Sequence, residues 1–467
     1  MITPAAVLAE IWQLAGLPPA ALDQVRLTGA EPVLPSSFRV GAAAQGTIAA
    51  AGLAAAELWR RRGGRAQAVG VDMRHAAIEF LSEHVFKLDG GPPPRIFDKI
   101  WGTYRCGDDR WVRLHTNFPH HREAVLALLA CDYERAAVAA ALQGWQAPAF
   151  EAAVVERGGV VSMMRTTEEW QAHPHCQALD RLPLLGFEEI GAAPAEPLAP
   201  AARPLGGVRV LDLTRVIAGP VCGRTLAAHG ADVLRITGPH LTDNAALVMD
   251  GGRGKLSAHL DLRQEAERAR LGRLVGEADV FVQGYRPGAI AQWGFAPEDL
   301  AKLRPGIVCV SLSAFGHAGP WSGRRGFDSI VQTASGINHA EAEAAGVDGP
   351  KPLPCQALDH ASGYLMALGA MAGLMRRGER GGSWHVRVAL ARTGRWLQGL
   401  GRLEHGFDCP GIDEQDLSDL LYDTDSGFGR LSVMRHAARL SETPVHWARP
   451  AVPMGAHAAE WPERAAA

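Results

Sequence analysis

Val208-Arg-Val-Leu-Asp-Leu213, Val221-Cys-Gly-Arg-Thr-Leu-Ala-Ala-His-Gly230 and Ala231-Asp-Val-Leu-Arg-Ile236 follow one another as strand, helix and strand. Working outward, residues 257–262, 279–283 and 307–312 are further apolar runs of strand length, and 264–276 and 297–303 carry helical patterns. Alternating strands and helices build a parallel sheet, because each crossover returns the chain in the same direction and lays a helix on one face. The expected class is α/β: a parallel Rossmann-like sheet flanked by helices, plus a smaller α+β domain.

Composition bounds the answer without choosing a chemistry. The chain has 467 residues, 47% of them hydrophobic and 21% charged, enough for two or more domains of an ordinary globular protein. A net charge of −3 gives no reason to expect nucleic acid or a membrane surface. No apolar run has the length of a transmembrane span, and Met1-Ile-Thr-Pro4 lacks a signal peptide's basic and apolar regions, so the expected location is cytoplasmic. Seven cysteines are scattered singly with no C-x-x-C spacing, which predicts reduced thiols and no zinc cluster. His120 and His121 are adjacent, not four apart as on one helix face, and read as surface or packing residues.

Ahead of the α/β part, an alanine-rich helix spans about 42–62, Gly63-Gly64 breaks it, and Ala68-Val-Gly-Val-Asp-Met73 reads as a strand. Residues 101–114 read as a hairpin turning at Gly107-Asp-Asp109. The proline- and alanine-rich stretch 191–204 then places a boundary near residue 200. The expected division is 1–200, 201–400 and a tail, 401–467.

The order helix, Gly-Gly, strand recurs beyond residue 350. Prolines 350, 352 and 354 hold an extended approach, an apolar helix over 364–375 ends near Arg376-Arg377, Gly381-Gly382 follows, and Trp384-His-Val-Arg-Val-Ala-Leu390 is a strand. Matching Val388 to Val71 gives an offset of 317 residues, read as an internal duplication. Asp359 falls at the start of the second helix, and Ala42 stands opposite it in the first copy. Capping is the commonest reason for aspartate at a helix start. The missing acid in the first copy points instead to one active and one degenerate copy.

Ligands of open α/β sheets bind beyond the carboxyl ends of the strands. The first such turn, Thr214-Arg-Val-Ile-Ala-Gly-Pro-Val-Cys-Gly223, lacks the G-x-G-x-x-G of a dinucleotide site, and no G-x-x-x-x-G-K-[ST] occurs. Gly251-Gly-Arg253-Gly-Lys255 and Gly284-Tyr285-Arg286-Pro-Gly288 place cations beside glycine-rich backbone, a combination that suits an anionic, nucleotide-like ligand.

These segments, together with Gly230-Ala-Asp-Val-Leu-Arg-Ile236, Ser313-Ala-Phe-Gly-His-Ala-Gly-Pro320 and Phe327-Asp-Ser-Ile-Val-Gln332, closely resemble the family III CoA-transferases, the formyl-CoA and carnitine-CoA transferase group. The likeness covers about 205–390, and the first 200 residues resemble that family's later segment, so the segment order is rearranged. The resemblance implies transfer of CoA from an acyl-CoA thioester to a carboxylic acid, with coenzyme A as substrate, no tightly bound cofactor, no metal and a homodimer. It makes Asp359 the nucleophile, forming an aspartyl anhydride and then an aspartyl thioester. It sets Ile217, Ala218 and Phe315 about the active site, and Arg253, Lys255, Tyr285 and Arg286 around the nucleotide. Two other readings stand beside it. An α-methylacyl-CoA racemase would need a base where Phe327 stands, with His360 as the substitute, and a non-catalytic CoA-binding subunit would suit the degenerate first copy.

Overall fold

The computed structural model describes residues 2–95, 97–412 and 417–463. Its central sheet has seven strands in the order Lys255–His259, Asp232–Thr237, Arg209–Leu213, Val280–Gln283, Val308–Ser313, Ser383–Ala389 and Gly186–Gly191. The first six are parallel and the seventh, at the edge, is antiparallel. Counted along the chain from Arg209, the parallel strands lie in the order 3-2-1-4-5-6, so the topology reverses between Arg209–Leu213 and Val280–Gln283. This is the α/β class expected, and it fixes where a ligand crevice opens. The edge strand went unread because Glu188 and Glu189 stand exposed in its middle, where an edge tolerates charge. The strand expected at 257–262 starts earlier, at Lys255, because this lysine is ion-paired inside the fold.

The helix Ala357–Arg380 runs through the core and is apolar almost all round, the pattern of a helix covered on every side. It packs against Val40–Arg61 and Ala218–Ala228. Contact with the latter depends on Gly363: a Cβ there would lie 2.5 Å from the Ala218 carbonyl oxygen and 2.7 Å from Val221 Cβ.

At the offset of 317 residues, Val40–Arg61 corresponds to Ala357–Arg380, Val69–Asp72 to the end of Ser383–Ala389, and Met73–Glu79 to Leu390–Gly399. In each set the strand after the long helix pairs in parallel with a strand before it, Val25–Thr28 in one and Val308–Ser313 in the other. Gly46 and Gly52 match Gly363 and Gly369, so the close-packing positions recur as well.

A smaller unit between the two sets holds the antiparallel strands Gly102–Arg105, Trp111–Leu114 and Val161–Met163, with the helices Pro119–Leu129, Arg135–Leu142 and Ala147–Glu156 around a core of their own. Its hairpin turns where the sequence places it, with Asp109 at φ 62°. The connector over 191–204 is not free: the Arg62 guanidinium donates to the carbonyls of Ala199, Pro204 and Gly206 at 2.6, 2.9 and 2.9 Å. Trp12, Ile48, Val310, Leu365 and Leu440 belong to one continuous hydrophobic core, which therefore draws on residues from both sides of that connector. Among the described residues no helix is long and apolar enough to cross a membrane.

Candidate active site

A cleft of about 320 Å³ opens where the strand order reverses. Its floor and one wall come from the carboxyl ends of Arg209–Leu213 and Val280–Gln283, through Leu213, Val216, Ile217 and Ala218 on one side and Gly284, Tyr285 and Arg286 on the other. Asp359 lines it from the start of the long helix, and Phe118, His120 and His121 from the smaller unit.

Asp359 is 6% exposed and is not the helix cap. The cap position belongs to Gln356, whose side chain makes no capping bond. The N-terminal N–H groups are met from outside by Asp328, whose carboxylate accepts from Leu358 N at 2.8 Å and Asp359 N at 2.9 Å. The helix terminus is thereby satisfied without Asp359, whose carboxyl is left to the cleft. Asp328 also accepts from Gln332 Nε2. Gln332 Oε1 accepts from Asn338 at 3.1 Å, and Asn338 accepts from Arg113 of the smaller unit at 3.3 Å.

The two carboxyls titrate as a pair. Burial, reinforced by the charges of Asp328 and Glu83, pushes Asp359 well above the usual carboxylate range. Burial raises Asp328 to about 6, against the opposing pull of the N–H groups it accepts from. Asp328, with its donors, is the group that holds the negative charge first.

Of the residues singled out from sequence, Asp359, Ile217, Ala218, Tyr285 and Arg286 meet in this cleft. Three do not. Lys255 is 1% exposed, its ammonium donating to Asp212 at 2.7 Å and to the Pro220 carbonyl at 2.9 Å. Arg253 donates to Asp250 at 2.8 Å and to the Met434 carbonyl at 2.6 Å, with its guanidinium over Trp447. Neither side chain faces the cleft in this structure: a desolvated cation is stable only against buried carboxylates and carbonyls, and theirs lie inside the fold. Phe315 is buried against His175 and Trp321, and supports Ser313 and Ala314, which do line the cleft.

His360 is fully buried, with Nε2 bonded to Glu83 at 2.9 Å and its ring 5.1 Å from Phe80. It is spent in the framework rather than offered to a substrate. His115 stacks on Phe327 at 3.7 Å, and burial holds its imidazole down to about 3, too weak a base to replace the missing one.

The sequence reading missed Arg215, Arg324, Arg325 and the His120-His121 pair, all of which line the cleft. The histidines were set aside because adjacent residues cannot share a helix face. At a helix start both reach one opening, and the Phe118-Pro119 entry, proline at the first helical position, is the signal that could have found them. Among the described residues no group of histidines, cysteines and acids is placed to hold a metal.

The model of the family described as CoA-transferase family III matches residues 24–182 and 205–415. An acetyl-coenzyme A transferase, nodX, of Hypoxylon pulicicidum is 37% identical over 44% of this chain and 35% of its own. An acyl-CoA transferase of Gibberella moniliformis is 29% identical over 79% of this chain and 73% of its own. The mouse succinyl-CoA:glutarate CoA-transferase is 33% identical over 38% and 42% respectively. The chain thus spans about a third of the first relative's length, nearly three quarters of the second's and less than half of the third's.

Proposed function

Because this chain belongs to CoA-transferase family III, we propose that it moves coenzyme A from an acyl-CoA thioester to a free carboxylic acid, with Asp359 as the nucleophile. The observation that carries the reading is the Asp359 carboxyl, relieved of capping by Asp328 and set in the cleft at the strand-order reversal.

The ionised Asp359 attacks the thioester carbonyl, the C–S bond breaks, and a mixed anhydride forms with release of CoA thiolate. The thiolate then attacks the aspartyl carbonyl and expels the first acid as its carboxylate. The acceptor carboxylate attacks the aspartyl thioester and expels the CoA thiolate, giving a second mixed anhydride; the thiolate then attacks the acceptor's acyl carbonyl, and the Asp359 carboxylate leaves. Covalent catalysis divides one difficult exchange into easier steps. The residues around Asp359 suit this sequence. Ile217, Ala218 and Tyr285 form a wall for the pantetheine arm, and the Arg215, Arg286 and Arg325 charges favour the anionic donor and acceptor.

An adjoining hollow lined by Thr237, His240, Leu262 and Arg263 shares Leu213, Leu241 and Tyr285 with the cleft, and on this reading it takes the nucleotide end of CoA. A cytoplasmic homodimer belongs to the same reading, as does the view that residues 1–200 hold a degenerate copy of the catalytic helix with the small domain, 201–400 the CoA-binding part and 401–467 a tail. The test is transfer of CoA from succinyl-CoA or acetyl-CoA to a panel of acids by wild type and Asp359→Asn. Transfer lost in the variant while it still binds CoA supports the reading. Equal transfer by both would remove it.

A further inference from the structure

The cleft has a corner built by the smaller unit that the transfer steps leave unused. The helix Pro119–Leu129 begins there, and its entry residue Phe118 offers no side-chain cap. The first helical residue is a proline without an N–H, so the N-terminal charge of the helix is expressed through the residues just behind it. His121, at 4% exposure, lines the cleft, and neither Nδ1 nor Nε2 has a hydrogen-bond partner. A buried polar ring with both nitrogens unpaired costs stability, and at the wall of a cleft a bound ligand can offset that cost. It sits 4.0 Å from the His120 ring and 5.9 Å from Phe327.

We propose that this corner, the N-terminus of Pro119–Leu129 with the His121 imidazole, binds a carboxylate of the acid substrate. The proposal rests on the transferase reading for the identity of that acid. Burial, together with His120, His115 and the Arg325 and Arg215 charges, holds His121 down to about 2. The ring is neutral at any working pH, so it gives one N–H donor and takes no proton from the acid. Arg325 and Arg215 add positive field to the same corner. The carboxylate bound there is either the one that reacts or a second one at the far end of a dicarboxylic acid.

The test uses glutarate and butyrate as probes, titrated calorimetrically into the CoA-saturated protein carrying Asp359→Asn, with and without His121→Phe. Affinity for glutarate falling about tenfold with butyrate unchanged assigns the corner to the distal carboxylate, and an equal fall for both assigns it to the reacting one. Unchanged affinity for both acids overturns the proposal. His121→Asn, which keeps a donor, retains most of the affinity; if it loses as much as His121→Phe while its melting temperature and CoA affinity stay at the parent's, the hydrogen-bond account is overturned. Because this readout is binding, it stands apart from turnover. A protein that transfers no CoA yet shows the His121-dependent glutarate affinity would retain the site and lose the transferase reading.

Discussion

Two aspartates divide the work at the start of the central helix. Asp328 accepts the free N–H groups and, on the proposed reading, Asp359 is left for chemistry, so substitution at the two positions has different consequences. Asp359→Asn is expected to lower kcat on the order of 10³-fold or more, as loss of a covalent nucleophile does, with CoA affinity retained. The pH profile follows from the raised pKa of Asp359. A carboxyl attacks only when ionised, so single-turnover acylation increases as pH rises through that raised value and fades below it. Asp328→Asn removes a neighbouring negative charge and keeps an accepting oxygen, so it shifts this limb to lower pH. A limb that stays in place would show that Asp328 does not set the titration. That Asp359, Ile217, Ala218, Tyr285 and Arg286 line one cleft was legible in the sequence, through the family resemblance and the strand-end turns that carry it. The inward aim of Arg253 and Lys255 was not, since a short basic, glycine-rich segment reads the same whether its charges face a phosphate or a buried aspartate.

The long helix ties the site to the sheet, and glycine sets how closely. A methyl group at Gly363 would press on the backbone of the helix that carries Ile217 and Ala218 at its start. Gly363→Ala is therefore expected to cost about 1–3 kcal/mol, read as a lower urea midpoint with an unchanged m-value. An unchanged midpoint would mean that the helices separate freely, and the glycine account would fail. Most elements could be read in advance because runs such as Val280-Phe-Val-Gln283 are buried by a sheet with helices on its faces. The edge strand Gly186–Gly191 could not, because its pairing partner lies almost two hundred residues away and its own pattern is acidic.

At the scale of the whole molecule, two similar helix-strand-helix sets pack their long helices together, and only the second carries the acid. Their shared core predicts one cooperative melting transition by calorimetry, and two resolved transitions would contradict it. Deletion of residues 1–200 strips a helix from the face of Ala357–Arg380 and is expected to yield insoluble protein. The correspondence of these elements at an offset of 317 residues could be read in the sequence. The helix start at Pro119 could be read in the sequence, but the delivery of His120 and His121 into the cleft depends on how the smaller unit lies over the carboxyl ends of the strands. The most direct test of the account is intact-protein mass spectrometry after incubation with succinyl-CoA or acetyl-CoA and trapping with hydroxylamine or borohydride. The account predicts a modification that peptide mapping places on Asp359 and that Asp359→Ala abolishes. A wild-type protein that turns over CoA thioesters with no adduct, or with an adduct that persists in Asp359→Ala, would contradict it.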